Sequence, residues 1–106
     1  MGKYVLAFKG GSIPQDEEET KRVMDLWGAW YGSLGDAVVD AGNPFGSSSA
    51  IAGDGSTSGP AESALTGYSI ITAESLPDAV EKSKGCPILE GGSGSIEVYE
   101  TLDMGP

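Results

Sequence analysis

Histidine is absent from this 106-residue chain, and that removes more chemistry than any other feature of its composition. Without it there is no side chain that ordinarily titrates near neutrality, no Ser–His or Cys–His nucleophile pair and almost no route to a zinc site. Cysteine occurs once, at Cys86, so no disulfide can close within the chain. That usage suits a reducing compartment, and a cytoplasmic location is expected. Basic residues are scarce as well: 6 Lys and Arg stand against 16 Asp and Glu, a formal net charge of −10. A surface of that sign repels phosphate backbones and anionic bilayers, so neither nucleic acid nor membrane is an expected partner. No apolar run approaches the length of a membrane span. The opening "MGKYVLAFKGG" has too short an apolar stretch for a signal peptide and lacks the Ser or Thr that N-myristoylation wants.

What is present reads as one domain over residues 1–106, with 39% hydrophobic residues and a thin core. Lys3 to Lys9 alternates as a strand, with Tyr4, Leu6 and Phe8 on one face and Val5 and Ala7 on the other. Asp16 to Leu34 has helical spacing, with Val23, Met24, Trp27, Trp30, Tyr31 and Leu34 on one stripe. Its acidic start complements the helix dipole and calls for no metal. Gly28 and Gly32 lie on another stripe, where a close neighbour would be permitted, and Gly35 ends the helix.

Ala37 to Ala41 is a short strand, and "GNPFG" turns out of it. The Gly/Ser-rich stretch 46–63 reads as a hairpin-like excursion with a weak strand near 49–52, or alternatively as a mobile loop. "LTGYSIITA" is the clearest strand. Ser75 and Asp78 cap a second helix with Leu76, Ala79, Val80 and Ser83 inward, stopped by Gly85. "SIEVYE" closes the chain as a strand with Ile96 and Val98 opposite Glu97 and Tyr99. The order strand, helix, strand, strand, helix, strand predicts an α+β ferredoxin-like βαββαβ subunit. Its helices would cover one sheet face and leave the other, carrying Tyr, Ile and Val, for a partner.

The segments "WGAWYGSLGDAVVDAGNPFG", "LTGYSIITAESLPDAVEKSKGCPIL" and "GGSGSIEVYE" resemble the YCII-related proteins, in particular the branch near the DGPF-domain proteins. The resemblance implies a homodimer whose sheets close into a dimeric α/β barrel. In that family some members are proposed to use a His–Asp pair in a cleft, and one related enzyme removes chloride from a chlorinated ring-cleavage product. DGPF relatives often occur beside extracytoplasmic-function sigma factors. The family histidine would fall near Met24 and Asp25, where this chain has none. Where relatives often read "CPHL", this chain reads Cys86-Pro87-Ile88-Leu89. The His–Asp chemistry therefore does not carry over.

Candidate site residues follow from position. Asp40 and Asn43 flank the "GNP" turn at a strand end, where clefts form; their plain alternatives are a solvated carboxylate and a turn residue. Glu97 and Tyr99 would look into a dimer cavity, where burial would raise the Glu97 pKa and suit it to act as a base, unless it is exposed or pairs with Lys3 or Lys9. Tyr4 and Tyr68 would line the cavity or pack in the core. Asp54 suits a turn. Cys86, after a helix C-terminus, suits packing rather than reaction. "GGSGS" does not match a phosphate loop, "DGSTSGPAE" does not match a calcium loop, and no cofactor or metal is expected.

The expected ligand-binding set is Trp30, Asp40, Asn43, Tyr68 and Glu97, serving a small-molecule-binding or regulatory interaction module. Two alternatives remain. One is a cofactor-independent lyase or isomerase acting on a small polar organic substrate, with Glu97 or Asp40 as base and a tyrosine holding the oxyanion. The other is a structural partner whose cavity is filled.

Overall fold

The structure, a computed structural model, describes residues 1–11 and 14–104. Its elements run in chain order as β1 (Gly2–Gly10), α1 (Glu17–Leu34), β2 (Val38–Asp40), β3 (Ala50–Ile51), β4 (Thr57–Ser58), β5 (Leu65–Ala73), α2 (Leu76–Ser83) and β6 (Gly94–Glu100). The four longer-range strands form one sheet in the order β2-β5-β1-β6, and every pairing in it is antiparallel. The architecture is thus α+β, an antiparallel sheet with its helices packed on one side. Among the described residues, no helix is long and apolar enough to cross a membrane.

Period-two alternation sorts the sheet residues. On the covered face Leu6 lies opposite Ser69 and Val98, and Phe8 lies opposite Gly67 and Ile96. Tyr4, Leu6, Phe8, Trp30, Ile71, Ala73, Ala79 and Cys86 make the buried cluster, with Ile96 and Val98 packed against it. Leu6 and Ile71 are fully buried, and each such side chain contributes about 1.5–3 kcal/mol. The open face carries Val5 opposite Ile70 and Tyr99, and Ala7 opposite Tyr68 and Glu97. Tyr4 thus belongs to the core and does not line an open-face cavity.

The helix ends follow their local chemistry. Asp16 caps α1 by accepting from the Glu19 N–H at 2.8 Å, and Glu19 reaches back to the Gln15 N–H at 3.2 Å. The acidic run is thereby engaged in capping. Gly35 ends the helix as expected, with a positive φ of 56° that favours glycine, but its ψ of −126° is not that of the left-handed helical cap. Only part of each inward stripe is buried: Met24 on α1 is exposed, as are Leu76 and Val80 on α2, whereas Ala79 and Ser83 are covered. No atom lies within 4 Å of the site a Cβ would take at Gly28 or Gly32, so the close neighbour expected there is not found among the described residues.

Two features depart from the strand reading. β2 is shorter than expected, and its register shifts between Val38, opposite Ile71, and Asp40, opposite Ile70. That bulge turns Asp40 onto the open face although Val38 looks toward the core. Two short 3₁₀ turns within Pro87–Gly92, separated by a non-helical kink at Glu90 and Gly91, precede β6 and were not legible as elements. The Gly/Ser-rich excursion is an exposed hairpin of β3 and β4, pinned by Asp54, which accepts from the Ser56 N–H at 2.9 Å and hydroxyl at 2.7 Å.

Candidate functional site

After β2 the chain does not leave the sheet. Pro44 bridges to Gly67, and the Phe45 N–H donates to the Thr66 carbonyl at 2.9 Å, so residues 42–45 run on beside β5. Gly42 makes that path possible. It takes φ +78°, and a Cβ there would collide with the Tyr68 carbonyl oxygen. The Phe45 ring stacks on Tyr68 with centroids 5.8 Å apart.

This geometry gathers three of the expected residues. The Tyr68 hydroxyl donates to Asp40 Oδ2 at 3.1 Å, while Asp40 Oδ1 accepts from the Gly42 N–H at 2.8 Å. The Asp40 carboxylate pushes the Tyr68 phenol above its ordinary value, first through that hydrogen bond and then through its charge; burial adds to this, and the nearby Asn43 side chain opposes it. Asp40, Tyr68 and Asn43 therefore form one polar cluster.

Next to the cluster, between α1 and residues 43–44, lies an apolar pocket of about 520 Å³. Val23, Met24, Trp27 and Tyr31 of α1 form one wall, Asn43, Pro44, Gly67 and Tyr68 another, and Phe8, Pro14, Thr66 and Ile88 complete it. Trp27 meets Phe8 edge-on at 5.4 Å and Tyr31 at 5.8 Å. Gly67 lets residues 43–44 close in on β5, since a Cβ there would sit 3.2 Å from the Asn43 carbonyl oxygen and 3.6 Å from the Phe8 ring. Tyr31 is fixed by a hydroxyl network: its oxygen lies 2.8 Å from the fully buried Ser69 Oγ and 3.0 Å from the Ala41 carbonyl, which also accepts from Ser69 at 2.7 Å. Burial pushes the Tyr31 phenol up, with the Ser69 hydrogen bond working against it.

The other expected residues stand apart. Trp30 is buried one step along α1, where its indole N–H donates to the Lys82 carbonyl at 3.0 Å and ties α1 to α2. It borders a different, shallower groove with Gly85, Cys86 and Leu89. Glu97 is exposed on the open face opposite Ala7, and among the described residues no ion pair joins it to Lys3 or Lys9. Cys86 is buried, and burial pushes its thiol up to about 11, the opposite of what a nucleophile needs. No group of three or more carboxylate or thiol side chains that could hold a metal is gathered among the described residues.

Reading the sequence as a helix face missed Trp27, Tyr31 and Phe8 as pocket residues, because an aromatic stripe reads first as core. The available signal was Gly67: a glycine within a strand marks a place where another stretch of backbone approaches closely, here residues 43–44 at the pocket wall. No known protein-family model matches the chain, and no curated protein matches it.

Proposed function

We propose that the chain is a small-molecule-binding module in which the aromatic pocket between α1 and residues 43–44 is the binding site, with the Asp40–Tyr68–Asn43 cluster at its rim. The pocket carries this reading. It falls in the size range of small-molecule sites, about 300–1,000 Å³, and joins apolar walls to a few convergent polar groups, as such sites do. The sheet order β2-β5-β1-β6 with both helices on one side supports a ferredoxin-like plan, and with it membership of the YCII-related and DGPF-domain group. On that plan two cytoplasmic subunits pair through their open faces, covering Val5, Ile70 and Tyr99 in a dimeric barrel. Binding then informs a partner, as in a regulatory interaction module.

The second reading, a cofactor-independent lyase or isomerase, is favoured by one observation. Tyr68 and Asp40 stand 3.1 Å apart, a proton donor beside a carboxylate. Asp40 is exposed in the single subunit and both its oxygens are already engaged, by the Tyr68 hydroxyl and the Gly42 N–H, so binding is the preferred reading.

The test is a thermal-shift screen of the whole chain against a metabolite library, with hits assayed for turnover and light scattering for mass. A ligand of the native state raises the melting temperature, and binding without turnover is the expected result. Turnover lost in Asp40→Asn would favour the enzyme. No shift across the library would overturn both readings, and a monomer mass at micromolar concentration would overturn the dimer.

A further inference from the structure

The chemistry of the pocket walls narrows the ligand. None of the side chains that line it is charged. A charged group brought into an apolar wall loses hydration that only a counter-charge or hydrogen bonds can replace, and none of the lining side chains supplies such a charge. A cation, Arg22, lines the adjoining groove that shares Val23, Trp27, Thr66 and Ile88 with the pocket. Arg22 is already held by Glu90 at 2.8 Å, and Glu19 lines the same groove. An anionic ligand would meet two carboxylates there and a chain of net charge −10 outside.

Shape argues further. The rings of Phe8, Trp27 and Tyr31 already form a run of aromatic contacts, and the pocket lies along it. A flat ring in the space continues that run through edge-to-face or offset contacts, which add about 0.5–1.5 kcal/mol per pair beyond area burial. Gly67 and Pro44, packed against each other, close the strand and turn sides. At one edge the pocket is lined by Asn43, an exposed polar residue beside Tyr68, while the hydroxyls of Tyr31 and Thr66 are engaged with Ser69 and the Phe8 carbonyl.

We infer that the pocket takes an uncharged planar aromatic molecule carrying a hydroxyl or carbonyl group on one edge, with that group at Asn43 and the ring against Trp27. This rests on the binding reading above and gives that site its ligand class. Asn43 is then the specificity-determining residue, and the aromatic wall supplies affinity.

Titration of the full chain with four probes tests it: 1-naphthol, naphthalene, 1-naphthoate and decanol. Tryptophan fluorescence would give affinity, and amide NMR shifts would locate binding through the Asn43 side-chain NH₂ and the Gly67 backbone N–H. The expected result is that 1-naphthol shifts those two signals and binds about tenfold more tightly than 1-naphthoate or decanol. Its margin over naphthalene should be about fivefold and should vanish in Asn43→Ala, a change at an exposed position that leaves the ring contacts intact. Tighter binding of 1-naphthoate or decanol at the same two signals would overturn the ligand class and leave the binding reading standing. Shifts by 1-naphthol confined to the open face would overturn the inference. Silence of all four probes at these signals would overturn the class, and only the wider library failing too would remove the binding site.

Discussion

The two faces of the sheet are made by the same strands, yet they differ in almost every physical respect. On the covered face β1 and β5 place Leu6, Phe8, Ser69 and Ile71 in a dry layer, where even the fully buried Ser69 hydroxyl is bonded. On the open face the alternate residues Val5, Tyr68 and Ile70 sit beside Asp40, Glu97 and Tyr99. Stability resides mainly on the first face. The second keeps its polar groups near water, and where the faces meet, at the β2 end of the sheet, the pocket and the polar cluster lie side by side. A fold with one committed face can place recognition on the boundary without exposing its core.

That contrast can be broken most sharply at its strongest point. Leu6→Ala or Ile71→Ala should cost about 2–5 kcal/mol by urea denaturation. Ile70→Ala should cost under about 1 kcal/mol in dilute solution, as a half-exposed residue does. If its cost instead grew with protein concentration, the open face would be an interface between subunits.

The paired tryptophans refine the contrast. Trp30→Phe should lose about 1–2 kcal/mol, because the buried Lys82 carbonyl loses its donor. Trp27→Leu should reduce ligand affinity more than it reduces stability, since Trp27 walls the pocket. Equal effects of both changes on stability and affinity would contradict the division between scaffold and site.

Alkali offers a third comparison. Cys86 has its pKa raised from 9.0 to about 11 in the folded chain, so the unfolded state ionises first. Its contribution to stability is full below pH 9 and is lost as pH rises from 9 to about 11, and Cys86→Ala should remove that slope from the denaturation profile. Tyr31 and Tyr68, both raised from 10.0, steepen the decline above pH 10. In Asp40→Asn the Tyr68 phenol should titrate closer to its ordinary value by ultraviolet absorbance.

The smallest expected effect is favourable. Gly28→Ala and Gly32→Ala should each add up to about 1 kcal/mol, because nothing adjoins these positions. A loss instead would mean that another molecule packs against the outer side of α1.

Much of this was legible in residue patterns. The alternation in "LTGYSIITA", the caps at Asp16 and Ser75 and the stop at Gly35 follow local rules that tertiary packing did not override. Asp40, Asn43 and Tyr68 converge because a strand end and a glycine turn have strict geometry. Other features depended on distant parts of the chain. Which groove Trp27 or Trp30 borders is decided by residues far off in sequence: Thr66, Gly67 and Ile88 beside the first, and Gly85 in the turn after α2 against the second. Glu97 faces away from the helices, as its alternation with Ile96 and Val98 implies, but a single subunit leaves it in water.

The register shift in β2 has a consequence beyond its size. It acts on parity. Were Val39 kept in a regular strand, alternation would carry the Asp40 carboxylate to the side of Ile71 and Ser69, under α1 and away from the Tyr68 hydroxyl. The exposed Val39 is thus the surplus residue, and its loss would leave Asp40 opposite Ile70 with the polar cluster intact, whereas straightening the bulge around it would dismantle the cluster with every member still in the chain.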